Sequence, residues 1–160
     1  MSGSVPANWT YHGYLVSVPE VPGTEEDVEP CQIAVEIAGF MGRAKLLRRL
    51  QPPEHLGFNW GYRGGTGPQA TADAVLSDAL GGAMDIMTDE YPDPYKQMTV
   101  EFRDDVVAHF TRDRAWHLDR SAVLWWLRGW LVSRELSEFP EAVRTIGPVQ
   151  GALYKSRHLD

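Results

Sequence analysis

The stretch of residues 57–80, GFNWGYRGGTGPQATADAVLSDAL, divides the 160-residue chain into halves with different patterns. Before it, apolar and polar residues alternate, which is typical of strands. After it, apolar residues recur every third or fourth position, which is typical of helices. Four glycines lie between positions 61 and 67, where the two patterns meet. We therefore expect an α+β fold in which this stretch leads from a sheet into the first helix.

Three segments of the first half are candidate strands. Residues 9–18 are aromatic and β-branched, and residues 31–37 alternate strictly, so both predict strands. The segment 19–30, PEVPGTEEDVEP, predicts an exposed acidic loop joining them as an antiparallel hairpin. RAKLLRRL at 43–50 fits a helix or a strand, and we favour a third strand.

The second half predicts about three helices. An apolar stripe follows the glycines to about Leu80, and a second helix runs from the Asp93-Pro94 cap to about Thr111. AWHL at 115–118 is expected to connect it to a very apolar last helix at about 120–136. The fold is thus a small antiparallel sheet of about three strands packed on about three helices. We expect one domain at 9–136 and an extended C-terminal tail at 137–160.

The totals restrict the class of protein. A formal net charge of −7 disfavours binding to nucleic acid without sequence preference, which requires a basic face. Cys31 is the only cysteine, so no intrachain disulfide and no cysteine-based zinc site is possible. No apolar run has the length of a membrane helix, and the N-terminus lacks the pattern of a signal peptide. We expect a cytoplasmic protein with no membrane partner.

The glycine-rich loop is the candidate ligand site. Glycines before a helix allow backbone amides to converge on an anion, and the helix N-terminus adds partial positive charge. Arg63 would bind phosphate or carboxylate, and Trp60 or Tyr62 would stack on a base. The candidate ligand-binding residues are Trp60, Tyr62, Arg63, Gly64, Gly65, Thr66 and Gly67. Alternatively, the loop is only a tight corner, closed by a capping box between Thr66 and Gln69.

Other groups give weaker signals. His55, just before the loop, is the one histidine that merits a test as a catalytic base, but no orienting partner is apparent. We assign no catalytic residue, no metal ligand and no cofactor. The basic residues of 43–49 either extend an anion site or form a solvated sheet edge that resists pairing, which we favour. Trp125, Trp126 and Trp130 are candidate partner-binding residues, since neighbouring positions of a helix point about 100° apart and the three cannot all face one core. Burial of the helix between two layers explains them equally well.

The sequence FNWGYRGGTGP at 58–68, followed by an alanine-rich helix, resembles a small family of unknown function from bacteriophages and actinobacterial mobile elements. Its members carry the motif Phe-x-Trp-Gly-Tyr-x-Gly-Ser-Gly-Pro. The similarity covers roughly residues 9–130 and includes Phe102 to Ala108, with Trp116 and Leu118 after it. This chain has one additional residue in the loop, and Thr71-Ala72 where Leu-Ala is usual. The resemblance implies a phage or mobile-element origin and a single domain, but no activity.

Three hypotheses remain for function. The first is a non-enzymatic accessory protein, in the host cytoplasm if phage-encoded, that binds a protein partner or associates with itself. The second is a small-ligand protein that binds phosphate or a nucleotide in the 61–69 loop. The third, a hydrolase using His55, has the least support.

Overall fold

The structure, a computed structural model, describes residues 8–16, 30–38, 45–52, 57–82, 95–136 and 139–146. Three predictions fall outside these residues and stay predictions: a role for His55, the Asp93-Pro94 cap, and the acidic loop up to residue 29.

The described strands form one antiparallel sheet. Strands β1 (Trp9–Leu15), β2 (Cys31–Ala38), β3 (Lys45–Arg49) and β4 (Trp116–Asp119) lie in the order β3-β2-β1-β4. Strands β1 and β2 pair with Tyr11 opposite Val35, which confirms the predicted hairpin. The ambiguous 43–50 segment contains β3, so the preference for a strand was correct. The predicted α+β class is confirmed.

The fourth strand was missed. The AWHL segment was expected to be a connection, but residues 116–119 pair with β1, with Leu118 opposite Tyr11. Trp116 and Leu118 are buried, whereas His117 is exposed, so the strand does alternate. Four residues are too few for this alternation to stand out in a sequence, because an apolar helix follows at once.

The sheet has one apolar face and one polar face. Alternate residues of each strand point to opposite faces, and Tyr11, Ile33 and Val35, which share one face, are fully buried against the helices. The other face carries polar side chains that bond across the strands. These hydrogen bonds join Thr10 to Asp119, His12 to Glu36 and Tyr14 to Gln32. An antiparallel sheet of this kind has a packed face and a solvated face.

Three long helices and one short helix complete the described fold: α1 (Thr66–Ala79), α2 (Tyr95–Asp105), α3 (Arg120–Ser133) and α4 (Glu141–Arg144). Helix α2 ends six residues before the predicted Thr111. Val106 leaves helical geometry at φ −120° and ψ −63°, and the 3₁₀ turn Val107–His109 follows. The Val107 carbonyl accepts a bond from the N–H of Gly61, so the chain turns where it meets the glycine loop.

Helix α1 is tied to the sheet at its C-terminal end by Asp78. This carboxylate accepts hydrogen bonds from the Tyr11 hydroxyl at 2.8 Å and the Trp9 indole at 3.1 Å. The Arg48 guanidinium of β3 lies 2.7 Å from its other oxygen. Burial and the nearby Asp78 charge raise the pKa of Tyr11 above its usual value, so its hydroxyl stays protonated and donates to Asp78, while its oxygen accepts from the Trp9 indole N–H at 2.8 Å.

The segment after α3 is not simply extended where it is described. Helix α4 buries Val143 completely, and Phe139, Ala142 and Ile146 pack against the core. Part of the predicted 137–160 tail therefore contributes to the core through a single helical turn.

Candidate functional site

Two glycines of the loop are required by close packing. A Cβ atom on Gly61 would lie 2.7 Å from the backbone of Arg112, and Gly61 has a φ of +89°. A Cβ on Gly67 would lie 2.6 Å from the Cβ of Asn59. These approaches are closer than side chains tolerate, so both glycines have a structural reason that involves no ligand.

The two sides of the loop are joined by Thr71, a fully buried residue of α1. Its hydroxyl lies 2.7 Å from the carbonyl oxygen of Asn59 and 3.2 Å from that of Gly67. The Asn59 N–H donates to the Gly67 carbonyl at 3.2 Å. The first turn of α1 is therefore fixed to the incoming chain before any ligand is considered.

The predicted capping box is wrong. Gly65, not Thr66, occupies the N-cap position, with a φ of 73° and a ψ of 169° that only glycine adopts readily. Gln69 is not turned back to the N-cap: its amide nitrogen bonds to Asp73 at 2.9 Å, and its oxygen accepts from Arg103 at 3.1 Å. Since glycine has no capping side chain, the amides of the first turn are left to backbone, water or a ligand.

Trp60 lies in the core and presents no free ring face. It is fully buried, its indole N–H donates to the Arg114 carbonyl at 2.9 Å, and its ring meets that of Trp116 edge to face at 5.6 Å. In this structure Trp60 positions the loop and has no surface on which a base could stack.

Tyr62 folds back over the loop. Its ring lies 3.4 Å from the position of a Cβ on Gly65, and its hydroxyl lies 3.2 Å from that of a Cβ on Gly67. The Arg112 guanidinium covers the ring at 4.8 Å from its centroid. Tyr62 and Arg112 therefore form one wall beside the helix N-terminus. Arg112 was not predicted, because nothing in the sequence places residue 112 beside residue 62.

Arg63 is exposed, as are Gly65 and Thr66. A hydrogen bond from Arg103 lowers the pKa of the Asp104 carboxyl, and the positive charge of Arg63 acts in the same direction. Arg63 therefore interacts electrostatically with Asp104 in the last turn of α2. The structure does bring together Tyr62 to Gly67 and adds Arg112, Arg103 and Asp104 to the group.

A half-buried carboxylate lies behind this surface. Burial raises the pKa of Asp73 from its usual value to about 6, while bonds from Gln69 and Thr99 and the charge of Arg103 oppose the rise. Its neighbours connect it to the surface, since Gln69 bonds to Arg103 and Arg103 to Asp104 at 2.9 Å. The spacing of Gln69 and Asp73 at i and i+4 of α1 is visible in the sequence, but their contact with Arg103 of α2 is not.

The tryptophans of α3 pack against other parts of the chain. Trp130 is buried and its indole donates to Glu101, while Trp126 meets Phe102 edge to face at 5.0 Å. Trp125 is half-buried, with Arg128 over its ring. The three residues share a helix but form no continuous open surface.

Arg48 of β3 lies away from the loop. Arg48 bonds to Asp78 in the last turn of α1, whereas the loop precedes its first turn, and 14 residues of helix span about 20 Å. The geometry favours the interpretation of the basic residues of β3 as part of a solvated edge.

Among the described residues, no group of three or more His, Cys, Asp or Glu side chains has a metal-binding arrangement. No helix within the described ranges is long and apolar enough to cross a membrane. At the loop, the arrangement offers helix amides and guanidinium groups to a small anion.

Comparison with known proteins gives a family but no activity. No curated protein and no solved structure matches the chain. A model of a family of unknown function, DUF6166, matches residues 38–129, a region that contains the glycine loop, β3, β4, α1, α2 and part of α3. As this region covers more than half of the 160 residues, the chain belongs to the DUF6166 family.

Proposed function

We propose that this protein is a non-enzymatic accessory protein of a phage or mobile element that acts by binding a partner protein. The observation that carries the proposal is the exposure of Leu47 in the edge strand β3. Its side chain is 70% exposed, the most of any large apolar residue that the structure describes. The edge of a sheet can pair with another chain, and an exposed apolar side chain on that edge can add to the contact.

The surroundings of Leu47 support a contact on this side of the molecule. The described helices pack on the opposite face of the sheet, and β3 has β2 as its one neighbour among the described strands. Trp125 and Trp126 remain candidates for a second contact, although their rings are partly covered by Arg128 and Phe102. The origin is supported by the resemblance of the loop motif to that of phage proteins.

Affinity purification from the host cell at physiological salt tests this proposal. The wild type is compared with Leu47→Ser and with Val132→Ser, a matched control at a 57% exposed valine on α3. Both substitutions should change stability by no more than about 0.5 kcal/mol, as expected at exposed sites. We expect a partner to be retained by wild type and Val132→Ser and lost by Leu47→Ser. Recovery of no partner, or of the same partner by all three proteins, would contradict the proposal.

A second candidate function is the binding of a small anion by the loop. The specific observation is that exposed Arg63 and the Tyr62–Arg112 wall flank a helix N-terminus whose N-cap is a glycine. The buried position of Trp60 favours phosphate over a nucleotide, since no base can stack there.

Thermal unfolding with inorganic phosphate and with a nucleotide panel, at constant ionic strength, tests this candidate. A ligand at 100 times its dissociation constant should stabilise the protein by about 2.7 kcal/mol. Arg63→Ala should abolish the shift, whereas Arg144→Ala, at an exposed arginine on α4, should not. An absence of any shift, or an equal shift in both variants, would exclude the loop as a site.

A further inference from the structure

No strand in the described part of the chain pairs with the outer edge of β3, where the backbone groups of alternate residues point away from β2. The Leu50 N–H donates to the Ile33 carbonyl at 2.9 Å, and Arg48 stands opposite Val35. In an antiparallel ladder, residues that exchange bonds with the neighbour alternate with residues that point away. The backbone N–H and C=O groups of Lys45, Leu47 and Arg49 are therefore directed away from β2.

The side chains along this edge combine one apolar residue with positive charge. Leu47 and Arg49 lie on the polar face of the sheet, opposite Glu36 and Ala34, and both are exposed. Arg48 lies on the other face, where it bonds to Asp78 and stays 47% exposed. The strand KLLRR has three basic residues and no acidic one, in a chain whose net charge is −7.

This composition disfavours pairing between two copies of the strand. Because every charged residue of β3 is basic, antiparallel pairing with a second copy places like charges against each other, which destabilises a strand pair. Basic residues on an edge strand protect sheets from self-association in this way. The same charges attract an acidic strand, and attraction between exposed charges weakens as salt is added.

We propose that β3 binds an extended acidic segment of a partner protein, which adds to the sheet as a fifth strand. The backbone at 45, 47 and 49 supplies the hydrogen bonds, Leu47 packs against an apolar side chain of the segment, and Arg49 pairs with a carboxylate beside it. This mode of recognition takes affinity from the backbone and specificity from alternate side chains. The inference rests on the proposed binding function and specifies its site and the chemistry of its partner.

Titration with a short peptide of defined charge tests the strand addition directly. The probe is the blocked peptide Thr-Glu-Glu-Val-Val-Glu-Thr, in which a valine and a glutamate two positions apart share one face, as Leu47 and Arg49 do. Thr-Lys-Lys-Val-Val-Lys-Thr is its charge-reversed control. Amide NMR spectra and hydrogen exchange are recorded on the full chain during the titration. We expect dissociation constants below about 1 mM for the acidic peptide. Exchange should slow at the amides of Lys45, Leu47 and Arg49, and binding should weaken at higher salt.

Three variants separate backbone pairing from side-chain contact. Leu47→Pro removes an outward N–H without touching the ladder to β2, as proline is accepted on the free side of an edge strand. Leu47→Ala keeps that N–H and removes only the side chain, so it should weaken binding by about tenfold or less, whereas proline should abolish it. Arg49→Glu lowers the charge of the strand from +3 to +1, so it should weaken binding of the acidic peptide and reduce its advantage over the basic one. Circular dichroism checks that each variant remains folded. If Leu47→Pro does not fold, Leu47→Ala and Arg49→Glu still test the proposal.

The outcomes also separate this inference from the proposed function. Equal binding of both peptides, binding without exchange protection at the three amides, or no binding of the acidic peptide overturns strand addition. If a partner is nonetheless lost with Leu47→Ser in the purification, binding through this side of the molecule stands and only its mode is wrong. If the acidic peptide slows exchange at the three amides of β3 but the purification recovers no partner, strand addition stands and the proposed cellular role is wrong.

Discussion

The two ends of α1 are fixed by different means. At its C-terminal end, Asp78 gathers side chains from β1 and β3 and is itself 13% exposed. At its N-terminal end, the helix is held through backbone groups and through Thr71, with glycines where other chain segments approach. One end depends on the identity of a few polar side chains, and the other depends on the absence of side chains.

This difference determines where each end is vulnerable. Charged and hydroxyl groups at the Asp78 end would lose their partners if the carboxylate were removed, whereas a single added methyl group would displace the chain at the loop. It also determines where each end is open to ligands, since the Asp78 end is satisfied internally and exposed Arg63 and Gly65 lie at the loop end. Substitutions at the two ends should therefore give distinguishable effects.

The largest effect is expected for Asp78→Ala. The Tyr11 hydroxyl is fully buried and would lose its acceptor, and Arg48 would lose its ion pair. The expected loss of unfolding free energy is about 2–4 kcal/mol, because buried donors would remain unsatisfied. Urea unfolding measures it. As a control, Asp105→Ala removes one exposed bond to Trp126 and should cost less than about 1 kcal/mol. Similar losses for the two variants would show that the Asp78 network is not the anchor.

A smaller effect of the same sign is expected for Gly67→Ala. Alanine normally stabilises a helix relative to glycine by about 1 kcal/mol. Here its Cβ would lie 2.6 Å from that of Asn59, so we expect destabilisation by about 1–3 kcal/mol, as for other overpacked sites. The matched control is Gly129→Ala on α3, where a Cβ meets nothing within 4 Å. This substitution should stabilise the protein. Thermal unfolding of both variants measures the contrast; a gain in both would mean that the loop yields easily.

The smallest effect, and the one that depends on pH, is expected for Asp73→Asn. The pKa of Asp73 is raised to about 6, so the native state binds its proton more tightly than the unfolded chain does. The associated stability is complete below the unfolded pKa and is lost as the pH rises through about 6. Asn mimics the protonated form, so the free energy of unfolding of the variant should exceed that of wild type by about 1–2 kcal/mol at pH 7.5, where partial exposure of the group is allowed for. At pH 4 the difference should be small.

The neighbouring Asp104 provides the control for this prediction. Its pKa is lowered by Arg103, so its contribution is present above the unfolded pKa and is lost as the pH falls. Asp104→Asn should therefore weaken the protein at pH 7.5 and have little effect in acid, which is the opposite sign. Urea unfolding at both pH values measures the pair, and an Asp73→Asn protein weaker than wild type at pH 7.5 would refute the assignment.

The sequence was sufficient for elements whose side chains alternate or recur over many residues. It predicted β2, α1 and α3 because burial of one face places apolar residues at regular intervals over 8 to 14 residues. It was insufficient for β4, which has four residues and is defined by its pairing with β1. It also failed at the start of α1 and at the end of α2, where positive φ at Gly65 and a bond from Gly61 to Val107 decide the boundary.

The candidate site was predictable only as a location. The cluster of glycines marked the loop, but the role of Trp60 depends on the carbonyl of Arg114, and the wall at Tyr62 depends on Arg112. Both contacts join residues about 50 positions apart, which a pattern in one sequence cannot show. The exposure of Leu47 was likewise hidden, since its neighbour Leu50 has the same character but is buried.

The pairing of β1 with β4 has a consequence for the order in which the protein is made. Thr10 and Asp119, which bond across these strands, are 109 residues apart in the chain. A ribosome producing the protein from its N-terminus therefore releases β1 long before its outer neighbour exists. Long-range pairing of this kind slows folding and leaves strand edges open meanwhile. Until residue 119 has emerged, the seven-residue β1, and not the four-residue β4, forms this edge of the sheet, and during that interval a chaperone would have most to protect.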